Sequence, residues 1–254
     1  MEMAEKIRQV KETLKDQKIM IAFSGGADST LLANIASQVS GEFLLVTVDN
    51  GVLPKDCISS SRKIADGIGL PYEVVVENFM QDPNFKANNP NRCFICKNKM
   101  YSKLEEIAKD RNFPMIADGT NISDLLEDRP GLMVNYQKNI ISPLVKAGIS
   151  REDVLNYLNE NKIDYSVSTT CMATRISTGD EITTKKINRI SYAESLVKTL
   201  SKNDIVRVRD KKGVAQIELA RRALAAYSQE SARVQGGKHA PDAKTAAEPT
   251  KDSS

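Results

Sequence analysis

Cysteine is the residue type on which any metal or thiol chemistry of this sequence must rest. The chain of 254 residues contains four cysteines and a single histidine, His239, which lies in a C-terminal stretch rich in Ser, Gly, Lys and Ala. One histidine in such a stretch excludes a Ser-His-Asp triad and a histidine-rich metal site. A transition metal bound by this protein would therefore take its protein ligands from cysteine.

Three of the cysteines form a pattern that is typical of a metal centre. Cys93 and Cys96 form a CxxC pair near the start of a predicted helix, and Cys171 lies further along the chain. On spacing alone, CxxC is compatible with zinc, with a redox disulfide or with an iron–sulfur cluster. Zinc would need a fourth ligand that histidine cannot supply. Cys57 is a candidate for it, but we interpret Cys57 as a packed thiol.

Three cysteine ligands suit a 4Fe–4S cluster better than structural zinc. A cluster of four irons held by Cys93, Cys96 and Cys171 leaves one iron without a protein ligand. That iron could hold an exogenous sulfide, supplied as sulfide or by a sulfur-donor protein. The cysteine pattern therefore predicts a nucleophilic sulfur that requires an activated acceptor.

A second chemical signal follows the first predicted strand, and it indicates ATP binding. The segment reads Ser24-Gly25-Gly26-Ala27-Asp28-Ser29-Thr30. Consecutive glycines let the backbone approach a ligand closely, and the helix that follows points its free N–H groups at the same place. The hydroxyl groups add donors for phosphate, and Asp28 could hold a Mg²⁺ that bridges phosphates. The segment lacks GKS or GKT, so it is not a Walker loop.

Apolar strands that alternate with helical patterns predict an α/β fold with a doubly wound parallel sheet in residues 1–145. The predicted strands are 18–23, 43–48, 72–76 and 114–117, and the predicted helices are an opening segment with Ile7, Val10 and Leu14 and the segments 28–39, 56–67 and 94–111. Residues 146–227 predict a smaller α+β domain, with helices over 150–161 and 185–201 and a hairpin of strands 205–209 and 214–219. The composition of residues 228–254 predicts a disordered tail.

The loop at residues 24–30 resembles the SGGxDS signature of the PP-loop ATP pyrophosphatase superfamily. The resemblance implies that this loop binds the β- and γ-phosphates of ATP. It also implies that Thr47 and Val48, at the end of the second strand, lie beside adenine. The implied chemistry is adenylation of an acceptor oxygen with release of pyrophosphate, after which a nucleophile displaces AMP.

Two further motifs resemble those of the LarE family of ATP-dependent sulfur transferases, over about residues 1–220. They are Asp118-Gly119-Thr120-Asn121 with Asp124 and Asp128-Arg129-Pro130-Gly131, and Cys171-Met172-Ala173-Thr174-Arg175. The best-described branch of that family makes the nickel-pincer cofactor of lactate racemase by converting carboxylates of a pyridinium dicarboxylate mononucleotide to thiocarboxylates. In that branch a cysteine at the position of Cys171 is sacrificed as sulfur donor. The added Cys93 and Cys96 match the cluster-bearing branch, so we expect catalytic cycling.

Several other residues are candidates for the site. By the resemblance, Arg175 would bind a phosphate and Glu194 would be a site carboxylate. Arg207 and Arg209 alternate on one predicted strand, so both side chains share a face and could grip the phosphate of a nucleotide-like substrate.

The loop after the fourth predicted strand offers polar groups for ATP or a metal. Asp118, Asn121 and Asp128 are the candidates, although roles in capping and turns compete with ligand binding at these residue types.

The leading hypothesis is a cytoplasmic, ATP-dependent sulfur transferase that carries a 4Fe–4S cluster and acts on a small nucleotide-like carboxylate. The first alternative is a cluster-dependent tRNA thiolase. The net charge of +3, the 5% aromatic content and the expected absence of an extra N-terminal domain argue against tRNA as the acceptor. The second alternative is a non-catalytic nucleotide-binding protein with structural zinc. No apolar run is long enough for a membrane span, and the family resemblance allows a homo-oligomer.

Overall fold

A computed structural model of the chain describes residues 2–126, 132–167, 170–203 and 205–219. The helices are α1 Met3–Leu14, α2 Ala27–Ala36, α3 Cys57–Ile68, α4 Pro83–Lys86, α5 Arg92–Asp110, α6 Ile122–Leu125, α7 Leu132–Gln137, α8 Pro143–Lys146, α9 Arg151–Glu160 and α10 Thr184–Ser201. The strands are β1 Gln17–Ala22, β2 Gly41–Asp49, β3 Tyr72–Val76, β4 Met115–Asp118, β5 Val206–Lys211 and β6 Val214–Leu219. The segments Phe79–Gln81 and Met172–Arg175 are 3₁₀ helices. Within the described residues, no helix is both long and apolar enough to cross a lipid bilayer.

The central feature is a parallel sheet with the strand order β3-β2-β1-β4. Ile19 of β1 pairs with Phe43 of β2 on one side and with Met115 of β4 on the other. The predicted α/β class and the interior position of the first strand are confirmed. The strands are apolar runs because helices cover both faces of the sheet.

The two faces of the sheet belong to two hydrophobic cores, as the period of two in a strand requires. Ile19 and Ile21 lie in a core with residues of α1, α2 and α9, whereas Met20 lies in a second core with residues of α5. Val154 and Leu158 of α9 are fully buried in the first core. The domain boundary after residue 145 remains a prediction, and α9 packs beside the sheet although it follows that boundary.

The C-terminal part of the described chain is an antiparallel hairpin, β5–β6, on which α10 packs. Lys212 and Gly213 at its turn both have positive φ angles, as a tight two-residue hairpin turn requires. A third hydrophobic cluster joins the 3₁₀ segment to α10 through Met172, Ala173 and Ile187. The predicted tail 228–254, His239 and Asp128 lie outside the described residues.

The sequence pattern predicted the long helices and missed the short ones. Helices α4, α6, α7 and α8 have four to six residues each, so none of them spans enough turns to show an apolar period.

Gly119 determines how closely the end of β4 approaches the start of α2. A Cβ atom on Gly119 would lie 2.7 Å from the backbone nitrogen of Ser29 and 2.8 Å from the carbonyl carbon of Asp28. We therefore expect Gly119→Ala to lower the free energy of unfolding by about 1–3 kcal/mol, because backbone must move to relieve the overlap. Urea denaturation measures the change.

Gly67→Ala is the matched control, because Gly67 lies in α3 and a Cβ there meets nothing within 4 Å. That variant should be neutral or more stable by up to about 1 kcal/mol, since alanine is the better helix former. Equal stability of the Gly119→Ala variant and the wild type would show that the close approach of β4 to α2 does not constrain the fold.

Candidate functional site

The loop between β1 and α2 is held in place by α3. Gly25 has φ +70°, and a Cβ atom there would lie 2.9 Å from the Cα of Ser61. The hydroxyl of Ser61 donates to the carbonyl of Ser24 over 2.8 Å. Gly26 is the N-cap residue of α2, and it has no side chain that could accept hydrogen bonds from the N–H groups of the first turn. The first turn of α2 therefore presents N–H groups that an anion can accept.

The hydroxyl groups of this loop bond to the loop itself. Ser24 Oγ lies 3.1 Å from Ser29 Oγ, which donates to the carbonyl of Gly26 over 3.1 Å. Thr30 is fully buried, and its Oγ1 has no hydrogen-bond partner in the described part of the chain. Unpaired buried hydroxyls are costly, so this loop is suited to a ligand that supplies acceptor oxygens.

Asp28 and Asn121, which the sequence placed in separate motifs, are brought together. Asn121 Nδ2 donates to Asp28 Oδ1 over 2.8 Å. Burial raises the pKa of Asp28, and the neighbouring carboxylate of Asp124 adds to that effect against the hydrogen bond from Asn121. A cation beside Asp28 would offset both the burial and the repulsion from Asp124, so Asp28 is suited to the predicted role of Mg²⁺ ligand. Asn121 also caps α6 in a capping box with Asp124, so the competing capping role is real.

Asp118, which is predicted to organise ATP or a metal, is surrounded by hydrogen-bond donors of the protein. Its carboxylate accepts hydrogen bonds from Tyr101 Oη at 2.6 Å, from Thr120, from Asn135 Nδ2 at 2.9 Å and from Ser142 Oγ at 2.7 Å. Burial alone would raise the pKa of Asp118, but the charge of Lys97 and these donors outweigh it and lower the pKa. Protein donors already occupy the oxygens that a ligand would need.

The side chains predicted to lie beside adenine are both buried, at 6% exposure. Thr47 Oγ1 donates to the carbonyl of Phe23 over 2.5 Å and accepts from the hydroxyl of Tyr72 over 3.1 Å. Val48 belongs to the second core. Thr47 thus ties β2 to β1, and its hydroxyl is occupied within the protein.

Two cysteines of the predicted metal centre, Cys96 and Cys171, are linked to the segment that follows β2. Asn50 Nδ2 lies 3.5 Å from Cys96 Sγ, and Asn50 Oδ1 accepts the N–H of Val52 over 3.1 Å. The carbonyl of Val52 in turn accepts the N–H of Met172, next to Cys171, over 2.8 Å. Cys96 and Cys171 both pack against the third hydrophobic cluster.

The three cysteines influence one another electrostatically. Burial raises the pKa of Cys96 to about 12, and the nearby charges of Cys171 and Cys93 contribute to the rise. Burial also raises the pKa of Cys171, which Arg92 opposes. Burial therefore favours the neutral thiol at Cys96 and Cys171, and only a bound cation would favour their thiolates. Among the described residues, no group of three or more His, Cys, Asp or Glu side chains is placed to hold a metal ion.

A bracket that the sequence analysis missed fixes the start of α5. Asn88 is fully buried with a positive φ, and its Nδ2 donates to the carbonyl groups of Ser177 at 2.8 Å and Asp180 at 3.0 Å. Arg92 donates to Asn88 Oδ1, to the carbonyl of Ala173 at 3.2 Å and to Cys93 Sγ at 3.5 Å. An Asn close to a turn was the only local signal, because the carbonyl groups that Asn88 and Arg92 bind lie more than 80 residues away along the chain.

Arg175, for which the resemblance implies a phosphate-binding role, is buried in a network of protein partners. Its side chain is 1% exposed, and its Nε pairs with Glu194 Oε1 at 2.9 Å. Its Nη1 donates to Thr170 Oγ1 at 2.5 Å and to the carbonyl of Cys171 at 3.1 Å. Glu194 Oε1 also accepts the N–H of Val208 over 3.0 Å. The pair links the turn at Cys171 to α10 and β5, which makes Arg175 and Glu194 positioning residues in this structure.

The two arginines of β5 have different surroundings although they share a face. Arg209 pairs with Glu218 at 2.6 Å and donates to the carbonyl of Thr174 at 3.1 Å. Arg207 lines a cavity of about 200 Å³ that Cys57 and Glu194 also line. Cys57, which the sequence analysis interpreted as a packed thiol, is therefore half-buried at a cavity wall.

Comparison with known proteins identifies relatives of the whole described chain. The family model described as a PP-loop domain matches residues 1–177. An uncharacterized protein of Synechocystis is 33% identical over 206 residues, which cover 80% of this chain and 76% of that protein. The pyridinium-3,5-bisthiocarboxylic acid mononucleotide synthase of Lactiplantibacillus plantarum is 28% identical over 215 residues, which cover 81% of this chain and 76% of the synthase.

A solved structure is similar in fold. The U34-tRNA thiolase NcsA from Methanococcus maripaludis, with its 4Fe-4S cluster, has a TM-score of 0.53 and 16% identity, over 93% of this chain and 80% of the thiolase chain. These relatives confirm the resemblance to PP-loop proteins and to LarE-like sulfur transferases that the motifs indicated.

The network around Asp118 predicts a pH dependence of stability. Because the pKa of Asp118 is lowered in the folded protein, its contribution is present above the unfolded value of about 4 and is lost as the pH falls through the folded value. We expect Asp118→Asn to reduce the free energy of unfolding at pH 7 by about 3 kcal/mol, and the deficit to shrink under acid conditions.

Denaturant unfolding of both proteins at pH 7 and at about pH 3 tests this expectation. Asp66→Asn, at an exposed position of α3, is the control and should change stability little at either pH. A deficit that stays constant between the two pH values would contradict the charge-based explanation.

Proposed function

The chain belongs to the PP-loop domain family, and on that premise we propose that it is an ATP-dependent sulfurtransferase acting on a carboxylate of a small nucleotide-like acceptor. One observation carries the proposal. The loop at residues 24–30 follows β1, Cys96 contacts Asn50 directly after β2, and these two strands are paired neighbours in the sheet. Activation by ATP and delivery of sulfur therefore belong to one edge of one sheet.

The activation step would use the loop after β1. The N–H groups at the start of α2 and the hydroxyls of Ser24 and Ser29 would bind the phosphates of ATP, and Asp28 would hold Mg²⁺. A carboxylate oxygen of the acceptor attacks the α-phosphorus, and the bond to the bridging oxygen breaks with release of pyrophosphate. A sulfur nucleophile then displaces AMP, which carries away the original carboxylate oxygen, and a thiocarboxylate remains.

The cysteines fit a cluster better than a single ion. Cys93, Cys96 and Cys171 influence one another electrostatically, although no described group of side chains is placed to hold one ion. A four-iron cluster holds its cysteine sulfurs further apart than a single zinc ion does, so the three residues would hold a 4Fe–4S cluster. Such a cluster supplies an iron without a protein ligand, at which exogenous sulfide can bind.

The acceptor class is proposed from the activity of one relative. The synthase from L. plantarum is named for a pyridinium mononucleotide with two thiocarboxylates. Arg207 at the cavity wall provides a guanidinium for the phosphate of such a mononucleotide. We therefore assign a pyridinium carboxylate mononucleotide, rather than tRNA, as the acceptor class.

Metal analysis tests the cluster. Anaerobic reconstitution with iron and sulfide should give about four iron atoms per chain and a brown protein. Ala substitutions at Cys93, Cys96 and Cys171 should each abolish this loading, because each removes one of three ligands. Cys57→Ala is the matched control and should load normally. Retention of the cluster in Cys171→Ala would sink the three-ligand assignment, and a colourless, zinc-loaded wild type would favour a structural zinc protein.

Pyrophosphate release tests the reaction. We expect nicotinic acid mononucleotide, a pyridinium carboxylate nucleotide, to stimulate release of pyrophosphate and AMP from ATP, and Asp28→Asn to reduce the rate at least tenfold because the Mg²⁺ ligand is weakened. Stimulation by tRNA but not by the mononucleotide would instead identify a tRNA thiolase. No release with either acceptor would exclude the proposed activation step.

A further inference from the structure

A cavity of about 200 Å³ lies where α3, α10 and β5 meet the segment that follows α9. We call it the hairpin cavity. Its wall includes the side chains of Cys57, Ser60, Ser166, Glu194, Lys198 and Arg207. The wall is therefore built from four separate parts of the chain, and it carries more polar and charged groups than a packing defect would.

Two cations of the hairpin cavity have no partner. Neither Lys198 nor Arg207 forms a hydrogen bond or an ion pair with any residue that the structure describes. Glu194 forms its ion pair with Arg175. Glu218 lies opposite Arg207 in the register of the hairpin, but its carboxylate forms an ion pair with Arg209.

One acid, Asp56, remains on the wall to oppose the two free cations. An ammonium and a guanidinium that line one cavity, and that form no ion pair with a described residue, favour an anion with more than one charge.

The hairpin cavity is also connected to both halves of the proposed reaction. The N–H of Ser166 donates to the carbonyl of Gly25 in the phosphate-binding loop over 2.8 Å. The Oγ of Ser166 is buried and has no hydrogen-bond partner among the described residues. On the opposite wall, Glu194 leads through Arg175 to the carbonyl of Cys171. A molecule in this cavity would lie between the ATP loop and the cysteines.

We propose that Lys198 determines the specificity of the hairpin cavity for a phosphomonoester on the acceptor, which Lys198 and Arg207 bind together. This inference rests on the proposed function and deepens it, since it assigns a residue that selects the nucleotide form of the acceptor over the dephosphorylated nucleoside. A phosphomonoester carries a charge between about −1.5 and −2 at neutral pH, which two cations match better than one. A nucleoside offers neither cation a partner.

Cys57 provides the measurement, because its thiol lies on the wall of the same cavity. Alkylation of Cys57 by iodoacetamide, resolved from the other cysteines by peptide mass spectrometry, should slow when the cavity fills. Nicotinic acid mononucleotide should protect Cys57 in the wild type, and nicotinic acid riboside should protect it at least tenfold less effectively. Each protein is compared with itself, because the charge of Lys198 also lowers the pKa of Cys57 against the effect of burial.

In Lys198→Met, the concentration of mononucleotide that gives half protection of Cys57 should be about tenfold higher than in the wild type. The mononucleotide and the riboside should then differ less in the concentration that gives half protection. Lys185→Met removes the same charge from an exposed position of the same helix and should change neither value. Binding of ATP should be unchanged in both variants, which checks that they are folded.

Two results would overturn the inference. The first is a wild-type Cys57 that is unprotected at concentrations of mononucleotide that stimulate pyrophosphate release, which would leave the proposed function standing and place the acceptor elsewhere. The second is equal protection in the Lys198→Met and Lys185→Met variants. The proposed function fails separately, through an absence of stimulated pyrophosphate release in the wild type.

Discussion

The buried pair of Arg175 and Glu194 is the interaction on which the position of Cys171 depends. Removing both charged groups from water costs free energy, and this cost is offset by the ion pair together with the further hydrogen bonds that both groups form. The guanidinium holds the carbonyl and hydroxyl groups of Thr170 and the carbonyl of Cys171, while the carboxylate also accepts the N–H of Val208. Loss of either partner would leave an unpaired buried charge, at a cost of about 3–5 kcal/mol. The position of Cys171 is therefore coupled to the docking of the C-terminal hairpin.

Cys93 and Cys96 lie at the start of α5, which a second set of buried polar contacts, made by Asn88 and Arg92, holds in place. Asn88 has a positive φ, which is unfavourable for most side chains. In this conformation its side-chain amide donates to carbonyl groups of the segment that follows the Cys171 turn. Arg92 extends this bracket to Ala173 and Cys93. Two polar brackets thus set the distance between α5 and the Cys171 turn from both sides. Thiols held in this way can meet a large cofactor without a long flexible loop, which keeps the entropic cost of assembling the centre low.

Local chemistry made much of this protein predictable from its sequence. The apolar strands, the amphipathic helices and the loop at residues 24–30 each carry their signal within a few residues, and the strand β3 was predicted at Tyr72–Val76, as observed. The burial and the partners of Asp118 and Arg175 could not be predicted, because the sequence does not show which protein groups surround a charged residue in a motif. Asn88 and Arg92 gave no usable signal, since their roles are defined by carbonyl groups that are distant in sequence.

The arrangement of the two chemical sites follows from what an adenylate requires. An activated carboxylate is open to attack by water, so the sulfur nucleophile must be close when the adenylate forms. The paired strands β1 and β2 lie about one strand spacing, ~5 Å, apart; β1 leads into the loop at residues 24–30, and β2 leads to Asn50, which contacts Cys96. The link from Gly25 through Ser166 and the link from Cys171 through Arg175 and Glu194 end on the same cavity. In the proposed reaction, an acceptor in a cavity connected in this way would meet ATP and then sulfur without release, because neither site would have to move.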